Sequence, residues 1–325
     1  LLEEELESVG SWICREAESK GLELKLAVRC CASMVDGVAH SLSLNLSSLP
    51  SCVESFLART EAASVSLLPT VLADPANAIP VQEEFRTAVL QLCTALYTVI
   101  QRRKLAGSSG GSVLMGKMGM LLRWCLEELA LVDPSAQWFH VGCELAGRLC
   151  CVLSTLGSEC SAQLWSISLA GTVRLYRRSL LCRRDMACGG LEDGLLAIMT
   201  MSRPKAPQDI LDLCQSLLLG NDLSAPVGRD NLLFAVVFLK MAVKVWRRSS
   251  LRFLKRNLHH ILSTLSELLS EAVNQPASEF FPTLFERCVQ VLVQLCKIPV
   301  ELYLDPVEAG TLLELLEVSF EYGGT

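Results

Sequence analysis

The chain has 325 residues, of which 51% are Ala, Val, Ile, Leu, Met, Phe, Trp, Tyr or Cys and 20% are charged, with a formal net charge of −6 and an isoelectric point near 5.4. That balance excludes a disordered chain, and the length excludes a mini-domain dependent on disulfides, because a chain this long buries roughly 75% of the surface its unfolded form exposes. The mean hydropathy is +0.38, yet the longest apolar run, Leu232 to Leu239, has eight residues and is followed by Lys240 and Lys244, well short of the about 20 residues a membrane span requires.

Apolar residues recur at spacings of three and four, and Leu dominates them. Strict alternation survives only in Leu42-Ser43-Leu44-Asn45-Leu46. This periodicity is helical, and the fold class it predicts is all-α. In chain order it predicts helices over 1–19, 22–42, 50–59, 61–73, 81–105, 113–132, 135–156, 160–184, 190–201, 207–219, 230–248, 251–274, 278–298 and 306–321. Asp74-Pro75, Asp133-Pro134 and Asp305-Pro306 each read as an N-cap with Pro in the first turn, where a missing N–H costs nothing. Residues 106–112, within LAGSSGGS, read as a flexible loop because Gly and Ser supply neither packing nor stiffness. Residues 221–228 form a second irregular stretch, and 1–325 reads as a single helical-repeat domain. The start at Leu1, LLEEELESVG, has neither a basic nor an apolar leader segment, so the sequence reads as an excerpt of a longer protein.

Fourteen helices average about 23 residues each, or about 46 per pair, which is the period of two-helix armadillo and HEAT repeats. The expected architecture is an α-solenoid of stacked helix pairs. Segments 139–156 and 231–246 are apolar on two faces, as a helix packed between neighbours must be.

The fifteen cysteines, among them Cys30, Cys31, Cys93, Cys150, Cys151, Cys288 and Cys296, lie beside Leu, Val and Ala, with an odd count and no CxxC pair. Free buried thiols in a reducing compartment, nucleus or cytoplasm, are the expectation. One cluster, His140, Cys143, Cys150 and Cys151, has donors of metal-binding type, but small residues inside a Leu-rich helix account for it better than zinc does. No GxSxG or P-loop motif occurs, and Gly116-Lys117 is followed by Met118 where a magnesium-binding hydroxyl would stand. Glu83-Glu84 and Glu127-Glu128 read as solvated helix faces. The sequence therefore assigns no catalytic residue, metal, cofactor or small-molecule substrate, and the chain reads as a non-enzyme.

Its informative feature is charge segregation. Residues 171–260 hold 15 Lys and Arg against 7 Asp and Glu, whereas the other 235 residues hold 14 against 28. Two clusters carry the excess. Arg174, Arg177, Arg178 and Arg184 fall within about 120° of one helix face. Lys240, Lys244, Arg247 and Arg248 form a stripe opposite Leu239, Ala242, Val243 and Trp246, and Arg252, Lys255 and Arg256 prolong it if the helix runs through Ser249-Ser250. Cations at helix C-termini also offset the helix dipole. As a binding ridge, both clusters together would hold an acidic or amphipathic helical segment of a protein partner. The phosphate backbone of nucleic acid is the alternative, disfavoured by the acidic isoelectric point and by few interleaved aromatics. Trp12, Trp124, Trp138-Phe139, Trp165 and Phe280-Phe281 are candidate apolar docking residues.

The Leu-rich and Cys-rich segments CELAGRLCCVLSTLG and ERCVQVLVQLCKIPVELYLDP resemble divergent armadillo/HEAT-type scaffolds, and the chain is similar to the meiosis inhibitor family of armadillo-like proteins. That resemblance implies a nuclear scaffold serving meiotic double-strand break formation and chromosome synapsis. A cytoplasmic trafficking or regulatory scaffold with an apolar groove is the third expectation.

Overall fold

The structure is a computed structural model that describes residues 2–19, 23–42, 49–72, 83–107, 112–157, 160–181, 185–201, 203, 205–219, 221–274, 280–297 and 306–323. Among these residues there are α-helices and one short 3-10 turn but no strand. No helix among them is long and apolar enough to cross a membrane. The chain divides into two compact units, Leu1–Ile198 and Met199–Thr325, so the expected single domain spans two such units.

In the first unit the helices are α1 (Leu2–Ser19), α2 (Leu24–Leu42), α3 (Ser51–Leu72), α4 (Glu83–Leu105), α5 (Met118–Glu128), α6 (Gln137–Thr155), α7 (Ala162–Leu181) and α8 (Asp185–Met199). The main packing partners are two apart in sequence: α1 lies on α3, α2 on α4, α4 on α6 and α5 on α7. Set between α2 and α6, α4 buries every residue from Thr87 to Ile100 except Gln91. A helix apolar on nearly all sides is stable only in such a sandwich.

Hydroxyls inside these layers are satisfied locally. Thr60 Oγ donates to the Phe56 carbonyl, Ser64 to Thr60, Thr94 to Leu90 and Thr98 to Thr94, each at 2.8 Å. These bonds to the preceding turn let small polar residues sit in a core without orphaned donors. They also explain why 50–59 and 61–73 are one helix: Thr60 is fully buried and bonds backward rather than capping a new helix, and the helix runs on through Pro69.

Three other boundaries differ from expectation. Asp133 does not cap a helix; its Oδ1 accepts the Ser135 N–H at 2.8 Å, so Asp133-Pro134 is a turn, and α6 begins after Ala136. The expected helix over 113–132 opens as a 3-10 turn, Val113–Lys117, before α5. Helix α8 starts before the expected 190 and runs through Gly189, Gly190 and Gly194. Those glycines serve a close crossing: a Cβ on Gly194 would lie 2.6 Å from Gly147 Cα, and one on Gly147 would fall on the Gly190 carbonyl oxygen. Asp74-Pro75 and Asp305 lie outside the described residues, as does 108–111 of the Gly/Ser loop. At the loop's far end, Ser112 is pinned, since Ser112 Oγ at 2.9 Å and the Val113 N–H at 3.2 Å both donate to the buried Glu61 carboxylate.

The second unit holds α9 (Ala206–Leu218), α10 (Pro226–Ser249), α11 (Leu251–Asn274), α12 (Phe280–Cys296) and α13 (Pro306–Gly323). Here α10 packs on α9 and α12, α11 on α12 and α13, and α10 also on α11. Pro226 at the first position of α10 starts that helix earlier than the apolar run alone predicts, following an extended Ala225. Leu232, Phe234, Ala235, Val236, Phe238, Leu239, Met241, Ala242, Val243, Val245 and Trp246 are all buried on α10, the wide apolar coverage expected for 231–246.

Candidate functional site

The two basic clusters fall in different units. In the first, Arg174 is exposed on α7, whereas Arg177 and Arg178 are half-buried. Arg178 is committed to the fold: Nη1 donates to the Leu129 carbonyl at 2.7 Å, and the guanidinium lies 5.8 Å from the centre of the Phe139 ring. Arg184 lies outside the described residues. Of this cluster, the described part offers one exposed cation, and Arg178 acts as an internal strut.

In the second unit the stripe on α10 is graded. Lys240 is half-buried and donates to Gln290 Oε1 on α12 at 3.1 Å. Lys244 and Arg247 are half-buried and Arg248 is exposed. Leu239, Ala242, Val243 and Trp246 are buried on the opposite side, as the spacing predicts. The helix does not run through Ser249-Ser250. At Ser250 the backbone leaves the helical region (φ −145°, ψ 48°), its N–H donates to Trp246 O at 2.8 Å, and its carbonyl receives the Leu254 N–H at 3.0 Å. Ser250 thus ends α10 and caps α11.

That break gives Arg252, Lys255 and Arg256 a helix of their own. All three are exposed, as is His259, and at about 100° per residue the four fall within about 100° of one face of α11. Leu254, Leu258, Ile261, Leu262 and Leu265 are buried on the other side. Among the described residues no carboxylate lies within ion-pair distance of Arg248, Arg252, Lys255 or Arg256. Exposed and uncompensated, these four cations are the most accessible part of the predicted ridge.

Beside them, within the second unit, a cavity of about 350 Å³ opens where the end of α10 meets the start of α9. Met201, Ile210 and Trp246 form apolar wall, and Arg203, Ser249 and Ser250 contribute polar groups. Sequence reasoning missed it because its walls come from two separated stretches, 199–210 and 246–250, with no shared motif.

The remaining candidates are structural. Trp138, Phe139, Trp165, Phe280 and Phe281 are buried, and Trp165 Nε1 donates to the Ile198 carbonyl at 3.0 Å. Trp124 stacks on Trp138 with centroids 6.0 Å apart, and Arg86 covers the Trp138 ring at 4.8 Å. These aromatics are core, which corrects their reading as docking residues. Cys143, Cys150 and Cys151 are buried, and Cys150 Sγ lies 3.3 Å from Thr172 Oγ1. Burial pushes the Cys150 thiol up to about 12, so it stays protonated and is a poor metal ligand. Among the described residues no group of three or more His, Cys, Asp or Glu is placed to hold a metal ion. Of the paired carboxylates, Glu84 meets Lys25, and Glu127 accepts from Arg123 Nε at 2.8 Å.

Comparison with protein-family models, with curated proteins and with solved structures finds no match to this chain.

Proposed function

We propose that the chain is a non-enzymatic interaction scaffold whose α11 face, Arg252, Lys255 and Arg256 with Arg248 at the end of α10, holds an acidic, amphipathic segment of a protein partner. The observation that carries the reading is the set of exposed cations with no carboxylate to offset them. On a helix whose other side is locked into a core, such charges keep a fixed spacing, so an acidic partner gains Coulomb attraction without ordering the receptor. Packing of helices two apart in both units supports an armadillo/HEAT-like stack of helix pairs. In keeping with the resemblance to the meiosis inhibitor family, the assembly served is nuclear and supports meiotic recombination.

The test is a pull-down from nuclear extract with the wild-type chain beside an Arg248/Arg252/Arg256→Glu variant, with and without nuclease and at two salt concentrations. A defined protein that survives nuclease, is lost with the variant and is weakened by salt is the expected result. Recovery that disappears with nuclease assigns the face to nucleic acid, for which affinity falls with salt by about one counterion per phosphate contact. Equal recovery by both chains refutes the reading.

A further inference from the structure

The cationic face does not end at the surface. At the α10–α11 junction Arg248 and Arg252 flank Ser249 and Ser250, and those two serines form part of the rim of the 350 Å³ cavity. Inside, the wall is apolar at Met201, Ile210 and Trp246, and Arg203 brings a guanidinium into the same space. The volume suits a side chain rather than a solvent layer, since sites that bury ligands begin at roughly 300 Å³.

Two further observations show that the chain does not finish this cavity by itself. Trp246 is fully buried, yet its indole N–H has no acceptor. Ser250, half-buried at the cap of α11, makes no side-chain hydrogen bond among the described residues, although a hydroxyl at an N-cap ordinarily accepts from the next turn. The free N–H groups of the first turn of α11 lie at the same end, where negative charge is favoured.

From this arrangement we infer that the cavity is the anchor site for the acidic segment: one apolar side chain of an amphipathic partner helix enters between Ile210 and Trp246, and a carboxylate on the partner's adjacent turn meets Arg203 and the Ser250 end of α11. This rests on the acidic-partner reading and adds the element that reading lacks, an apolar hot spot inside a cationic rim. Charge on α11 attracts many acidic chains; the cavity selects those with an apolar residue in register. Charge complementarity, with uncompensated cations around a partly apolar recess, makes an acidic amphipathic protein segment the occupant.

The experiment is calorimetric titration of the full chain with a synthetic Glu/Leu amphipathic helix, with the same helix carrying Leu→Ala, and with inorganic phosphate. Two variants obstruct the rim without touching the core, Ser249→Trp and Thr200→Trp, both at exposed cavity-lining positions. A third, Arg252/Arg256→Glu, removes the charge and leaves the cavity intact. The expected result is that the Glu/Leu helix binds the wild type, that each Trp variant and the Leu→Ala peptide lose about tenfold in affinity, and that melting temperatures stay unchanged. If the Trp variants bind like wild type while the charge variant weakens, the anchor is refuted and the acidic-face reading stands. If the charge variant also binds like wild type, or the wild type fails to bind the peptide, both fail. Phosphate that binds alone and displaces the peptide overturns the anchor in favour of a simple anion pocket.

Discussion

The two units put the same residue types to opposite uses. In the first, charged side chains are turned inward or paired: Arg103 with Glu54, Lys25 with Glu84, Arg59 with Ser11 at 2.7 Å, and Arg178 with a backbone carbonyl and an aromatic face. In the second, Arg248, Arg252, Lys255 and Arg256 stand exposed with no carboxylate near them among the described residues. An arginine anchored to a carbonyl contributes to stability. One with no partner contributes only to the surface potential, which is where a binding role belongs.

The contrast can be tested at several strengths. The largest effect is expected at the glycine crossing of the first unit. A methyl on Gly147 meets the backbone of α8, so Gly147→Ala should cost about 3 kcal/mol in denaturant unfolding, and a loss under 1 kcal/mol would mean that α6 and α8 part easily. Next comes a matched pair. Arg178→Ala should cost about 2 kcal/mol, from a charge-assisted hydrogen bond and a ring contact, whereas Arg256→Ala should stay within about 0.5 kcal/mol. Equal losses would erase the distinction between the units.

A third test uses pH. Burial pushes the Glu61 carboxyl above its ordinary value of 4.5, against the opposing pull of Ser112 and the Val113 N–H. The folded state therefore holds that proton more tightly than the unfolded chain does. The stability this contributes is fully present below 4.5 and is lost as pH rises through the raised value. Denaturation curves of Glu61→Gln should lack this component, and an unchanged pH dependence would remove Glu61 as its source. The smallest effect is on thiol labelling under native conditions. Cys296 is exposed and should react first in the second unit, while Cys214 and Cys288, buried and with raised thiol pKa values, should wait for unfolding.

Much of this was legible before any coordinates. The 3.6-residue period located nearly every helix, and the burial of Leu239, Ala242, Val243 and Trp246 followed from the spacing of Lys240, Lys244 and Arg247. Errors came where a residue type has two uses that only its neighbours separate. Thr60 bonds backward instead of capping, Asp133 makes a turn instead of a cap, and Gly189 and Gly190 sit inside a helix instead of breaking it. The same ambiguity affected the basic clusters. Arg178 and Arg256 look alike in sequence, but the first has a carbonyl within reach from a residue 49 positions away.

The sequence by itself determined the all-α class, most helix positions and the concentration of positive charge between 171 and 260, because these depend on periodicity and composition along a local stretch. Only tertiary structure decided which cations are spent on the fold and which face outward. It alone revealed that α4 is enclosed, that Ser250 divides α10 from α11, and that 199–210 and 246–250 close around a common cavity. Those outcomes turn on contacts between residues distant in the chain, and no local pattern encodes a distance across space.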